Sequence, residues 1–401
     1  MGIPAPPKDG PPLAVNLNSG DRLQAFAPSE FASAMNKLVF ANLLHRPLRS
    51  IISVLAVAIE VIMILSVQGI FLGILNDTRT RTNGIGADLM MMGSGASFFN
   101  GLSAASMPVN DAIALRRLPH VALVSPAIQY TVTLNGSPQV LWGIDYDTFD
   151  AMKPFVFLSG GRFSGPYDVI IDQVLAGADH YHVGDTLQLL DHSFRITGIV
   201  EPGKGGRRMI PMATLAQLLG EPGKASIFYI RCDKPADETL VTNEVHATPG
   251  FGNNSVITID DWLNQMTPDR IPGFNIAVRS VTGIAVVVGF LVIFQAMYTA
   301  ILERTREIGI LKSMGASKPA IVGVVLRECG ALAALGVVVG IAGTFGVRQL
   351  FLYLAPTQHF EITVLLGVQA AAIAFVGALC GALYPALMAA RKDPIDALAY
   401  E

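Results

Sequence analysis

Charge is what this chain has least of. Only 15% of its 401 residues are Asp, Glu, Lys or Arg, against 51% hydrophobic residues, and the formal net charge is -3. A soluble domain carries roughly a quarter charged residues, so this scarcity excludes an ordinary soluble protein. With no clustered basic excess there is no nucleic-acid footprint, and no nucleic-acid partner is expected. Cysteine is scarce as well, limited to Cys232, Cys329 and Cys380. No CxxC occurs and no Cys/His cluster has metal-ligand spacing, which excludes a disulfide framework and a structural zinc site. The nearest approach to a ligand pair is His180-x-His182, a spacing that puts both rings on one face of a strand. A polar surface strand or loop explains it more simply.

Catalytic signatures are missing too. There is no GxSxG and no HExxH. Asp260 and Asp261 adjoin each other, and "TIDDW" reads as a helix start with an acidic cap rather than an acid pair. The segment "GIVEPGKGG" places Gly198, Gly203 and Lys204 as a phosphate-binding loop would, but Gly205 stands where Ser or Thr should reach Mg²⁺, and no helix follows. The expectation is a glycine-rich hairpin loop with no nucleotide. Its Lys204, Arg207 and Arg208 form either a loop for an anionic headgroup or partner protein, or simply a solvated basic face. No catalytic residue and no metal ligand is assigned.

Hydrophobic length is what the chain does have. A membrane span needs roughly 20 apolar residues at about 1.5 Å each. Stretches 51–75, 279–302, 320–354 and 363–390 meet that requirement. The first contains Glu60 and the third Arg327 and Glu328. An intramembrane carboxylate is costly, so Glu60 should be protonated, paired or turned toward a neighbouring helix, and Arg327 either pairs with Glu328 or reaches the inner surface. Before the first span, residues 1–30 are rich in Pro, Gly and Asn and read as a disordered cytoplasmic tail, without a secretory signal. Residues 31–50 carry apolar side chains at helical spacing and read as an amphipathic interfacial helix.

Orientation follows from the flanking charges. Lys37, Arg46 and Arg49 precede the first span, Arg304, Arg306, Lys312 and Lys318 fill the second loop, and Arg391 and Lys392 follow the fourth span. The positive-inside rule puts both termini, 391–401 included, and loop 303–319 in the cytoplasm of a multi-pass inner-membrane protein. Arg79, Arg81 and Arg279 on the other side are tolerated by a long translocated domain. Residues 76–278 are then one large extracytoplasmic α+β domain, in two lobes. "YTVTLNGSPQVLWGI", "YDVIIDQVLA", "DTLQLLDHSFRITGIV" and "ASIFYIRC" read as strands and hairpins, and "PVNDAIALRRLP" and "MATLAQLLG" as helices.

Loop 303–319, "ERTREIGILKSMGASKP", is far richer than a turn between spans requires. Ile308, Leu311 and Met314 recur at every third position among charges, Gly315 is a helix stop, and Ser317 a cap for the next helix with Pro319 in its first turn. It reads as a helical hairpin that stays in water while offering those apolar residues to a partner.

In order along the chain, "FANLLHRPLRSIISVLAVAIEV", "DVIIDQVLAGADHYHVGDTLQLLDHSFRITGIVEPG", "ERTREIGILKSMGASKPAIVGVVLRE" and "GALYPALMAARKDPIDALAYE" resemble the FtsX-like permease family of ABC transporters, of MacB, LolC and DevC type. The resemblance implies that Arg306, Glu307, Ile308, Gly309, Leu311, Lys312, Met314, Gly315 and Ala316 form an ATPase-coupling helix. It implies a separate ATPase chain, in two copies, that holds ATP and Mg, so this chain is expected to bind no cofactor and to be no enzyme itself. It implies a second permease copy, identical or related, contact with membrane lipids, and in some members a periplasmic adaptor. The implied function is export of a lipid, lipoprotein or amphiphile by mechanotransmission. The alternative is a non-transporting relay that activates an extracytoplasmic partner such as a cell-wall hydrolase. Residues 168–215 would be the smaller lobe of the domain. Glu60 stands where the family commonly has a small or apolar residue, which leaves its role open.

Overall fold

The computed structural model describes residues 47–95, 107–134, 136–267 and 273–392. The expected tail 1–30, most of the expected interfacial helix 31–50 and residues 393–401 lie outside them. In chain order the elements are α1 (Pro47–Asn83), β1 (Leu89–Met92), β2 (Met107–Pro108), α2 (Asp111–Leu115), β3 (Val121–Leu134), β4 (Ser137–Ile144), α3 (Tyr146–Met152), β5 (Phe157–Gly160), β6 (Asp168–Asp172) and α4 (Gln173–Asp179). They continue with β7 (Thr186–Leu189), β8 (His192–Val200), β9 (Arg208–Pro211), α5 (Met212–Leu218), β10 (Lys224–Ala225), β11 (Ile227–Cys232), α6 (Glu238–Ala247), β12 (Ser255–Thr258) and α7 (Ile259–Gln265). The last four are α8 (Phe274–Glu303), α9 (Thr305–Ser313), α10 (Lys318–Leu354) and α11 (Val364–Arg391).

Helices α1, α8, α10 and α11 are long and apolar enough to cross a membrane. Lipid gives no hydrophobic reason for helices to meet, so their contact relies on small residues that let backbones approach. Along α11, Ala370, Ala374, Ala378, Ala382 and Ala386 recur every fourth position and are all buried. On α10, a side chain at Gly336 or Gly340 would collide with Val57 or Val61 of α1. Valines, leucines and isoleucines such as Ile59, Val287, Val338 and Val368 remain on the outside, as a lipid-facing surface requires.

The first span does not stop at residue 75 as its apolar run implies. Helix α1 continues through the polar "NDTRTRTN" to Asn83, into the inserted domain. An i,i+4 ion pair, Arg81 Nε to Asp77 at 2.8 Å, supports that extension. The apolar run alone ends at 75, because the structure that the polar face packs against is remote in the chain. The second span likewise begins earlier than expected, at Phe274.

The inserted domain is built on one mixed sheet in the order β12-β1-β11-β3-β4-β9-β6-β8-β5, with β7 paired to β8. The pairs β4–β9 and β6–β8 are parallel and the others antiparallel. Two separate cores cover one face. One, with Leu89, Phe228, Val241 and Val245, packs α2 and α6 on the β1–β11–β3 half. The other, with Val169, Leu175, Phe194 and Leu215, packs α4 and α5 on the β6–β8–β9 half. The opposite face carries a single core under α1, α3 and α7, with Ile85, Trp142, Phe149, Tyr229 and Trp262. The two lobes are therefore halves of a continuous sheet, tied together from behind.

Several local expectations change. "YDVIIDQVLA" is not a hairpin strand throughout: β6 ends at Asp172, whose carboxylate caps α4 by accepting from Leu175 N at 2.8 Å. The glycine-rich segment after β8 is no hairpin loop, because β6 lies between β8 and β9. His180 and His182 are not on a strand: His180 closes α4 in the left-handed region, at φ 56°. Helix α7 is capped by the Thr258 hydroxyl, which accepts from Asp261 N, while Asp260 and Asp261 complement the dipole in its first turn.

Candidate functional site

At the end of the bundle away from the sheet, α8 breaks at Arg304 and α9 folds back toward α10. The turn is a Schellman arrangement: Ala316 N donates to Leu311 O, Gly315 N donates to Lys312 O, and Gly315 has φ 94°. Ser317 precedes α10, but its hydroxyl makes no capping bond. Pro319 lacks the N–H such a bond needs, and Ala320 N already bonds to the Ser317 carbonyl.

The side chains of this hairpin divide differently from the expected one-face pattern. Ile308 packs inward with Ile301, Ile321, Ala389 and Ala390, and Ala316 joins the same cluster. Gly309 is buried, and Leu311 is half-buried. Met314 is 70% exposed and Ile310 42% exposed, so the outward apolar pair is Ile310 and Met314, one turn apart. Arg306 and Glu307 are exposed beside them. The three-residue recurrence missed this because α9 has its own bundle contacts, which claim Ile308. Lys312 is not a solvated charge either. Its Nζ donates to the carbonyl of Ala390, at 3.0 Å, and to that of Lys392, filling acceptors that α11 leaves open at its C-terminus. Glu328 pairs with Arg304, both carboxylate oxygens at 3.2 Å from Nη1, rather than with Arg327, which is exposed. Adjacent residues on a helix point in different directions, whereas Arg304 faces Glu328 across the α8–α10 contact.

Deep in the bundle, Glu60 is 3% exposed and turned toward neighbouring helices. A side chain at Gly289 of α8 would overlap its Oε2, and Gly377 of α11 lies against Oε1. Oε1 has no hydrogen-bond partner among the described residues.

At the opposite end lies a closed ring of charges that the sequence reading did not find. Asp77 Oδ2 of α1 accepts from Arg81 Nε at 2.8 Å and from Arg207 Nη2 at 3.0 Å. Asp172 Oδ2 at the end of β6 accepts from Arg81 Nη2 at 3.0 Å and Arg207 Nη1 at 3.2 Å. Two carboxylates and two guanidiniums thus lock the α1 extension to the loop 203–207 and the sheet. Burial, then the neighbouring Arg81, lowers the pKa of Arg207, opposed by Asp172 and Asp77, and guanidinium stays charged throughout. The loop joining α10 to α11 reaches the same place: His359 Nδ1 lies 3.6 Å from Asp77, and Glu361 accepts from Asn76 Nδ2 at 2.7 Å. The only local signal was the i,i+4 pair Asp77 and Arg81.

The basic loop is therefore a docking element and no solvated face. Arg208 is buried and donates weakly to Gln139 at 3.4 Å. Lys204 is buried against the C-terminal end of α3, its Nζ donating to the Phe149 carbonyl at 2.9 Å and to that of Lys153, 3.9 Å from the Phe155 ring centroid. Burial is the main force pushing its pKa down, to about 8; Asp150 opposes it and Lys153 and Arg231 add to it. Because the folded pKa lies below the unfolded one, the unfolded chain binds the extra proton between about pH 8 and pH 10.5. Folding gains stability as pH rises through that window, about 3 kcal/mol at full effect, and is insensitive below it. Thermal unfolding of the purified chain and of Lys204→Met should show the wild type gaining on the variant only above about pH 8. A constant difference from neutral to alkaline pH would contradict the buried-amine account.

Residues 50–248 match the family model of the MacB-like periplasmic core domain, and residues 279–394 that of the FtsX-like permease C-terminal region. The macrolide export ATP-binding/permease protein MacB of Shewanella sp. is 24% identical over 95% of this chain and 62% of its own length. That of Acinetobacter baylyi is 24% identical over 98% of this chain and 64% of its own. The chain thus spans less than two thirds of the length of these relatives. Among solved structures, the periplasmic region of MacB from Actinobacillus actinomycetemcomitans aligns with 15% identity and a TM-score of 0.35, covering 46% of this chain and 94% of that one. The two family models fall in sequence order, one on the first span and the inserted sheet domain and the other on the last three spans, so this chain belongs to the FtsX-like, MacB-type family of ABC transporter permeases.

Proposed function

We propose that the chain is the permease subunit of an ATP-driven exporter that moves a lipid, lipoprotein or other amphiphile by mechanotransmission. The observation that carries this reading is α1: one uninterrupted helix runs from the bundle into the sheet domain and is locked there by the Asp77–Arg81–Asp172–Arg207 ring. Movement imposed on the bundle is thereby delivered to the sheet. Energy enters through the α9 hairpin, whose exposed Ile310 and Met314 dock into an ATPase on a separate chain that holds ATP and Mg. Two ATPases and two permease copies make the working assembly, with both termini and the hairpin in the cytoplasm and the sheet domain outside, where an adaptor or cargo meets it. The relatives are macrolide export proteins, which supports an amphiphilic cargo.

The test is reconstitution of the full chain in proteoliposomes with a candidate ABC ATPase from the same genome. The expected result is a stable complex, ATP hydrolysis stimulated by the permease, and ATP-dependent release of a labelled lipopeptide or macrolide. Hydrolysis without release, together with activation of an added cell-wall hydrolase, would replace export by a signal relay. Absence of any complex would remove both.

A further inference from the structure

The sheet face behind the two lobes holds a cavity of about 410 Å³, within the range of small-molecule sites. Pairing register explains its floor. Met90 lies opposite Tyr229 on β1–β11, and Gln129 opposite Trp142 on β3–β4, so strand alternation sends Met90, Tyr229, Gln129, Thr131 and Trp142 to one side. Trp142 and Tyr229 stack within 5° of parallel, 6.1 Å between centroids, so that the fully buried Tyr229 backs Trp142, the ring at the floor. Trp262 of α7 closes one wall, and Asp77, Thr78 and Arg81 of α1 form another.

The wall groups set the chemistry of a ligand. Asp77, Arg81 and Arg207 line the cavity and the buried Asp172 lies behind them, so the two cations are already matched by two anions and are not free to hold an ionic ligand. The cavity's other polar groups are uncharged: the amides of Gln129, whose Nε2 donates to Tyr229 Oη at 2.7 Å, and Gln139, and the hydroxyls of Thr78, Thr82 and the exposed Thr131. We propose that this cavity is a binding site for a neutral amphiphile, its ring or short apolar portion lying on Trp142 and its uncharged hydroxyl- or amide-bearing head at Thr131, Gln129 and Gln139. A charged head would have to compete with the ring for its own counter-ions. Because α1 is one wall, an occupant touches the helix that runs on into the membrane. The site stands on its lining and does not depend on the export reading.

The chain contains two tryptophans, and both line the cavity, so tryptophan emission reports on it directly. The full chain in lipid nanodiscs, free of detergent, is titrated with phenyl β-glucoside as the neutral probe and with phenyl phosphate and phenethylammonium as charged probes of similar ring. The expected result is a saturable emission change with the glucoside, at least about tenfold tighter than with either ion. Thr131→Arg, at an exposed position on the mouth, should weaken glucoside binding by about tenfold or more. Val140→Arg, also at the rim and 46% exposed, serves if the first variant does not fold. A response that never saturates, equal or tighter binding of either ion, or wild-type affinity in the folded variants would overturn the proposal. No ATPase is present in this assay, so its failure and the failure of export are told apart.

Discussion

Asp172→Ala is expected to be the most damaging single substitution in the sheet domain. Asp172 is 2% exposed, and its Oδ2 holds both Arg81 and Arg207 while Oδ1 caps α4. Removing one partner of a buried ion pair leaves its counter-charges uncompensated, at a cost of about 3–5 kcal/mol. Loss of the cap adds about 1 kcal/mol. Asp172→Asn separates the two effects, since asparagine caps as well as aspartate but cannot neutralise the guanidiniums. Thermal unfolding should rank wild type well above Asn and Asn slightly above Ala. Hydrogen exchange should then show 76–83 and 203–207 opening together in both variants. If both variants unfold within about 0.5 kcal/mol of wild type, the ring is ornamental and α1 is held by apolar contacts alone.

The second large effect concerns the hairpin. Under the proposed function, Met314→Asp combined with Ile310→Asp places carboxylates at the centre of the ATPase contact. Exposed apolar anchors of this kind contribute about 2 kcal/mol each to binding, so the affinity for the ATPase should fall by at least about thirtyfold per site. Because both side chains are exposed, the melting temperature of the isolated permease should barely move. Ile308→Asp should behave in the opposite way, since Ile308 packs against Ile301, Ile321 and Ala389: the bundle end loosens first, and binding fails only as a result. Binding to the immobilised ATPase, alongside thermal unfolding, checks both. A silent double variant with an intact fold would show that the partner reads another face.

How much of the molecule the sequence reveals depends on where each side chain finds its partner. The four spans were legible because hydrocarbon demands long apolar runs, and 320–354 and 363–390 agree with α10 and α11 to within a few residues. The β3–β4 and β7–β8 hairpins were legible because their partners are adjacent in the chain. Legibility fails where the partner is remote. "NDTRTRTN" has no apolar run to carry the span onward, and its helix shows its use only when Arg207, more than a hundred residues on, closes its ring with Asp77. Lys204 looks solvated until the carbonyls at the end of α3 are placed over it. Glu328 looks paired with Arg327 until α8 brings Arg304 across. The glycines and lysine of "GIVEPGKGG" lack the hydroxyl and the following helix of a nucleotide loop, and their structural use, docking a transmembrane helix, has no local signature.

The length of α1 has a geometric consequence. Its 37 residues make a rod of about 55 Å, of which the hydrocarbon core accounts for about 30 Å. Pivoted at its Pro47 end, the rod converts a rotation of about 10° into a sweep of about 10 Å at Asn83, with no joint in between to dissipate it. Under the proposed function, a tilt of that size at the hairpin end would swing the sheet by about the width of a helix, with the charge ring as the clamp between α1 and the sheet.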